Sequence, residues 1–245
     1  MADSQRLVLA KSITADVRGR EGRNLLAVGV YGSVARGEER RHSDIDLLVV
    51  VRRKSRHIHH EVRNGIVATI LQQTAEEAKS EVTGSRPDLN AVLGGWTALK
   101  PLYDPTRLLR RLIARARRTP PRQFREAAYW ACLEVYEDVG KLWNAIEAGD
   151  ADEAREMAIW FSGAAAGALL DLHAHVLKTG RRAIVEASRF GKAGRAVRRL
   201  RYDELSLAQM QDLSEVIWTG LLARAAAQGI HLPPLFRTAR GSLEG

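Results

Sequence analysis

Apolar residues recur along this chain with two different periods, and the change from one to the other divides it. Leu7, Leu9, Ala10, Ile13 and Val17 supply most of one helical face, which predicts an amphipathic helix over residues 5–19. LLAVGVYG then reads as a buried strand ending at Gly32, followed by a short helix from Ser33 to about Gly37. After the polar loop RRHSD, DIDLLVVV is a strand whose apolar run implies burial on both faces. IHHEV and IVATILQQ form a predicted hairpin whose Asn64-Gly65 turn favours positive φ. Thr74 and Glu77 fit a capping box at the start of the next helix. GGWTALKPLYDP, rich in Gly and Pro, reads as a linker. From Thr106 onward the period is helical, with no convincing strand. Helices are expected over about 106–118, 122–147, 151–178 and 206–228, the last two capped by Asp150 with Glu153 and Ser206 with Gln209. The chain therefore reads as a small α/β domain, residues 1–104, followed by a helical domain, residues 105–245.

Composition narrows the classes. A chain of 245 residues can bury a substantial core in one large or two small domains. The longest apolar run, Ile159–Leu170, has 12 residues including a serine and two glycines, too short to cross a bilayer. MADSQRLVLAK lacks a signal-peptide core, so a cytoplasmic protein with no membrane partner is expected. Cys132 is the sole cysteine, which excludes an internal disulfide and a thiolate-rich metal site. The net charge is +9, with local excesses: residues 107–125 hold eight Arg and no acid, and residues 178–201 hold nine basic residues and only Glu186. Such runs suit anions, but no aromatic interleaves the first and only Phe190 the second. Solvated helix faces are favoured over nucleic-acid binding.

The chemistry-bearing stretch is VYGSVARGEERRHSDIDLLVVV, residues 30–51. Residues i and i+2 of a strand face the same side, so Asp44 and Asp46 point together while Ile45 and Leu47 turn into the core. Two carboxylates on one face repel unless a cation lies between them, and an oxygen-rich site with retained water suits Mg²⁺ carried by a substrate phosphate. Gly32-Ser33 at a strand-to-helix junction is the complement. Glycine admits close backbone approach, the turn presents N–H groups, the Ser33 hydroxyl can donate to a phosphate, and Arg36 adds charge one turn along. Either motif alone is weak. Together, with ten residues between Ser33 and Asp44, they describe a metal-bound nucleoside triphosphate held against a sheet.

Gly-Ser, ten residues, Asp-x-Asp resembles the nucleotidyltransferase superfamily that includes DNA polymerase β. Within it, the second half resembles the kanamycin nucleotidyltransferase family of aminoglycoside-modifying enzymes. LKPLYDP is similar to that family's interdomain segment, RQFREAAYWACLEVYEDVGKLWN to its central helix, with Glu137, Gly140, Lys141 and Asn144 as the hallmark, and GAAAGALLDLHAHVLKTGRRAIVEA to the helix and turn that follow. The resemblance extends from about Val28 to His231. It implies an α+β fold: a small mixed sheet with flanking helices, followed by a C-terminal helical bundle. It further implies Asp44 and Asp46 on Mg²⁺ (or Mn²⁺), and Gly32, Ser33, Arg36 and Lys141 on ATP or another nucleoside triphosphate. Glu137 would be the general base that deprotonates an acceptor hydroxyl. The resemblance also implies a homodimer with sites at the interface and a role in antibiotic resistance. The residues are compatible with these roles, since Glu137 and Lys141 stand at i and i+4 on one helix face, although an exposed ion pair has the same spacing.

One departure stands out. The family's third carboxylate would fall on IVATILQQ, where Val67 or Thr69 occupies its place, and Glu61, Glu76 and Glu77 are no obvious substitutes. A second metal that activates the nucleophile would lose a ligand there. Alternatives therefore stay open: an aminoglycoside-type transferase, a minimal nucleotidyltransferase acting on protein or RNA in a toxin–antitoxin pair, or a nucleotide-binding protein with little transfer activity. An acceptor pocket for a polycation would draw on Glu134, Glu137, Asp138 and Asp171. HIHH, His57 to His60, reads as an exposed hairpin rather than a metal site. His173 and His175 diverge on a predicted helix, and the five tryptophans read mostly as core.

Overall fold

In the computed structural model, which describes residues 3–232, the N-terminal alternation becomes a five-stranded mixed sheet with helices packed around it. α1 (Gln5–Glu21) is capped by Ser4, whose hydroxyl accepts from the Leu7 N–H. It leads to β1 (Leu25–Tyr31), the short α2 (Gly32–Arg36), β2 (Ile45–Val51), β3 (Ile58–Arg63) and β4 (Ile66–Thr74). α3 (Ala75–Thr83), α4 (Leu89–Ala98), β5 (Lys100–Tyr103) and α5 (Leu108–Ala116) follow. The strand order is β3-β4-β2-β1-β5. β2 and β4 run parallel and the other pairs antiparallel. Asn64 (φ 53°) and Gly65 (φ 73°) make the predicted hairpin turn, and the Thr74–Glu77 capping box forms.

The period-2 pattern assigns the sheet's faces. Val28, Val30, Ile45, Leu47, Val49, Ala68 and Ile70 pack with Ala10, Ile13 and Val17 of α1 into one core. Burial of each of the larger side chains contributes about 1.5–3 kcal/mol. The opposite face carries Tyr31, Asp46, Leu48, Thr69 and Leu71.

The described chain forms two compact units. The first comprises residues up to 85 together with 89–123 and 176–180. The boundary expected at residue 104 falls inside it, with α5 packed on α3, α4 and β1. The segment read as a linker is instead structured: Gly94, Gly95 and Trp96 lie in α4, and Lys100–Tyr103 completes the sheet as β5. Gly94 is required there, because a side chain on it would overlap the Leu177 carbonyl oxygen, and the Leu177 N–H donates to the Asn90 carbonyl (3.1 Å).

The second unit holds most of α6 (Pro121–Ala148), α7 (Ala151–Leu172), α8 (Ala183–Ala187), α9 (Gly191–Tyr202) and α10 (Leu207–Ala226). Residues 233–245 of the expected helical domain lie outside the described residues. Asp150 and Ser206 cap α7 and α10 as expected. α7 ends at Leu172 rather than near 178, so His173 is its cap and His175 lies beyond it, correcting their placement on one helix. The second basic run contains α8 and α9, which the periodicity reading passed over. On α9, Ala193, Ala196, Val197 and Leu200 are buried and the arginines lie outward, a solvated helix face. Among the described residues no helix is long and apolar enough to cross a membrane. The sequence expectation of α+β architecture, an N-terminal mixed sheet with flanking helices followed by a helical region, is met.

Candidate active site

The turn from β1 into α2 is built on one glycine. Tyr31 is extended (φ −128°, ψ −165°), and Gly32 has φ +70°, which places the chain in the left-handed region. A β-carbon on Gly32 would fall inside van der Waals contact of Asp46 Oδ2. The Gly-Ser loop and the Asp-x-Asp strand thus meet at that point because β1 pairs with β2, with Tyr31 opposite Asp46. α2 is closed by Gly37 at φ +68°, and the Glu38 N–H donates to the Ser33 carbonyl (3.0 Å).

Asp44 stands one residue before β2 and is half-buried, like Asp46. The loop that delivers it is anchored by a residue the sequence reading did not single out. Arg6 on α1 donates through Nε to the Ser43 carbonyl (2.8 Å), while Ser43 Oγ accepts from the Arg40 N–H (2.9 Å). Arg36 is half-buried and paired with the exposed carboxylate of Glu38 (2.8 Å).

Strand register extends this row across the sheet. Asp46 neighbours Thr69 on β4, and Thr69 neighbours His60 on β3. Register therefore distinguishes Thr69 from Val67 as the residue flanking Asp46. The Thr69 hydroxyl is hydrogen-bonded to His60 Nδ1 (3.0 Å). Val62 and Val67, on the same face, are exposed. Tyr31 shares the row, and its phenol is pushed up to about 12 by burial first, then by the charges of Asp46, Glu81 and Asp44. Among the described residues no group of three or more His, Cys, Asp or Glu is arranged to hold an ion. Asp44 and Asp46 supply two carboxylates at the N-terminal end of the central strand β2, a donor set that fits an ion whose remaining oxygens come from a triphosphate and water.

In the second unit, Glu137 and Lys141 form an ion pair (2.6 Å) on α6 with side chains 70% and 53% exposed. The Lys141 ammonium, by hydrogen bond first and charge second, holds Glu137 below the ordinary glutamate value. Burial pushes Glu134 upward, reinforced by Asp88 and Asp138, and burial likewise raises Asp138. Trp130 is 51% exposed and stands seven residues before Glu137, on the same stripe as Glu134 and Lys141. That spacing is the signal in the sequence for Trp130, and it corrects the expectation that the tryptophans are mostly core. Trp160 is also exposed, whereas Trp96 and Trp218 are buried. Asp171, expected near an acceptor, is 1% exposed inside the helical core beside Cys132, whose thiol is pushed up to about 12 by burial and then by Asp171.

Residues 14–90 match the nucleotidyltransferase domain. The matched span contains Gly32, Ser33, Arg36, Asp44 and Asp46, while Glu137 and Lys141 lie beyond it. The match supports nucleotidyl transfer as the general chemistry of the N-terminal region. The chain's fold is similar to that of a nucleotidyltransferase-like protein from Exiguobacterium sibiricum 255-15, with TM-score 0.56 and 12% identity over 89% of this chain and 75% of that one. At that identity the likeness is one of fold. No curated protein matches the chain.

Proposed function

We propose that this chain is a metal-dependent nucleotidyltransferase that moves AMP from ATP to a hydroxyl of an aminoglycoside-type acceptor, in the manner of the kanamycin nucleotidyltransferase family. The observation that carries the reading is the close approach of Gly32 to the Asp46 carboxylate, which joins the Gly-Ser turn to the Asp-x-Asp strand. In this reading Gly32 and Ser33 receive the triphosphate, and Arg36 reaches it by exchanging Glu38 for phosphate. Mg²⁺ on Asp44 and Asp46 would supply charge neutralisation at the phosphates. Glu137, exposed and ionised, takes the proton from the acceptor hydroxyl as that oxygen bonds to the α-phosphorus. The bond from the α-phosphorus to the bridging oxygen breaks, and pyrophosphate leaves with the electron pair. Lys141 offsets phosphate charge. Glu134 and Asp138 beside Glu137 suit the ammonium groups of a polycationic acceptor. The family resemblance further suggests a cytoplasmic homodimer in which Glu137 serves a site shared between subunits.

Thr69 beside Asp46 favours a second reading, a nucleotide-binding protein with little transfer, because that neighbour brings no carboxylate to the row. The deciding experiment is pyrophosphate release from ATP, GTP, CTP and UTP with Mg²⁺ or Mn²⁺, with kanamycin and related aminoglycosides as acceptors. Asp44→Asn is run beside the parent. Acceptor-dependent release that disappears in the variant supports the transferase. Metal-dependent ATP binding without release under any acceptor supports the second reading.

A further inference from the structure

Within the second unit, α7, α9 and α10 line a cavity of about 680 Å³. Leu169, Ala193 and Val216 form its apolar wall. The first turn of α9 packs close to α10 because Gly220 has no side chain: a β-carbon there would stand 2.6 Å from that of Ala193. Just before α9, the Phe190 ring lies face to face with the His173 ring (centroids 4.0 Å, interplanar angle 6°), and both line the cavity.

Charge is graded along α10. Asp212 and Glu215 precede Gly220, and Arg224 follows it by one turn. At 1.5 Å per residue the two acids stand about 18 and 14 Å along the axis from Arg224. Glu215 also accepts from Gln211 Nε2 (2.6 Å). Lys192, exposed in the first turn of α9, adds a second positive charge near Gly220. Glu186, the acid nearest Phe190 in sequence, is engaged by His175 (3.5 Å), Arg182 (3.6 Å) and Arg189 (2.7 Å).

Arg224 is half-buried, and among the described residues its buried Nε meets no hydrogen-bond partner. A buried N–H left unpaired is costly unless a ligand takes it up. Its charge reaches the stacked pair: burial first, then Arg224 and His175, hold His173 below the ordinary histidine value, so that ring is neutral at pH 7. A guanidinium beside two neutral stacked rings suits a flat anion, since two of its N–H groups match the two oxygens of a carboxylate.

We propose that this cavity binds an aromatic carboxylate of two fused rings, its carboxylate on Arg224 and its rings against Leu169 and the His173–Phe190 pair. The volume is that of a small-molecule site, and the lining has the usual character of apolar walls with a few placed polar groups. No residue assigned to nucleotide, metal or proton transfer takes part, so the site goes beyond the reaction proposed above and stands or falls without it.

The test is calorimetric titration of the full chain at pH 7.5 with 2-naphthylacetate, without nucleotide or metal. One saturable site is expected. The neutral 2-(2-naphthyl)ethanol should bind about tenfold more weakly, and so should the acid to Arg224→Gln, the loss typical of a charge-assisted hydrogen bond. Thr219→Glu, at an exposed position of the lining, sets a fixed carboxylate in the cavity and should abolish binding of the acid. Both variants should keep the parent's circular dichroism and thermal midpoint. Absence of saturable binding, equal affinity for acid and alcohol, or full binding in a folded Arg224→Gln or Thr219→Glu chain each overturns the proposal. So does equal or tighter binding of 2-(2-naphthyl)ethylammonium, which would show that Asp212 and Glu215 set the charge of the site.

Discussion

Asp46 and Glu137 are both carboxylates on regular elements, yet the two units treat them in opposite ways. Asp46 is half-buried at the junction of β1 and β2, its carboxylate occupying the space that a β-carbon on Gly32 would need. Glu137 stands 70% exposed on a helix, bonded only to its i+4 lysine among the contacts described. A substitution near Asp46 has to deform a sheet and a turn, whereas one near Glu137 meets water. Placement at the first site is set by packing. At the second it is set by one ion pair, and exposed pairs of that kind hold a side chain only weakly because water screens them. The first site is thus the rigid half of the proposed chemistry, and the second is adjustable.

The largest effect that would sharpen this contrast is expected at Gly32. Gly32→Val forces a β-branched residue into positive φ and onto the Asp46 carboxylate. The strain alone costs about 1–2 kcal/mol, and metal-dependent ATP binding should vanish, by calorimetry, with a thermal midpoint several degrees lower. A folded Gly32→Val chain that binds ATP normally would break the assignment of a rigid site.

Glu137→Gln should lower turnover by about 10²–10⁴-fold, the usual contribution of a general base, with ATP affinity and thermal midpoint unchanged. Loss of turnover in Glu134→Gln with retention in Glu137→Gln would move the base one turn along α6. The pH profile carries a signed version of the same test. The base must be deprotonated, and Lys141 holds Glu137 below the ordinary glutamate value, so activity should persist to correspondingly low pH. Removing the ammonium in Lys141→Met lets that value rise. The acid limb of kcat should then move to higher pH, independently of any uniform loss in rate.

Smaller effects are expected at the neighbours. Thr69→Asp places a carboxylate directly beside Asp46 in the row and should raise Mg²⁺-dependent turnover by roughly tenfold if a missing ligand limits transfer. An unchanged or lower rate would show that the site works without it. Glu38→Gln releases Arg36 from its exposed partner and should strengthen ATP binding about two- to threefold, within the range of a surface ion pair.

Much of the first unit was legible because its signals are local. Alternation placed Ile45, Leu47 and Val49 on the core face and Asp46 on the other, Asn64-Gly65 fixed the hairpin, and Thr74 marked a helix start, as Asp150 and Ser206 did in the second unit, through hydrogen bonds to residues three positions ahead. The misreadings share the opposite property. KPLY looks like linker because a four-residue edge strand has no period of its own, and it becomes β5 only by pairing with β1. α7 stops at Leu172 within a helical pattern, and Trp130 matches a core residue in composition while its neighbours leave it outside.

By itself, then, the sequence determined which side chains share a strand face or a helix stripe, where turns reverse the chain and where helices begin, because each of these is set within a few bonds. Tertiary pairing decided that Gly32 meets Asp46, that Thr69 rather than Val67 flanks it with His60 attached, and that Arg6 anchors the loop before Asp44. Those contacts join residues 14, 23, 9 and 37 positions apart. Strand register and helix docking select them by burying the whole core at once, and no periodicity along the chain encodes that choice.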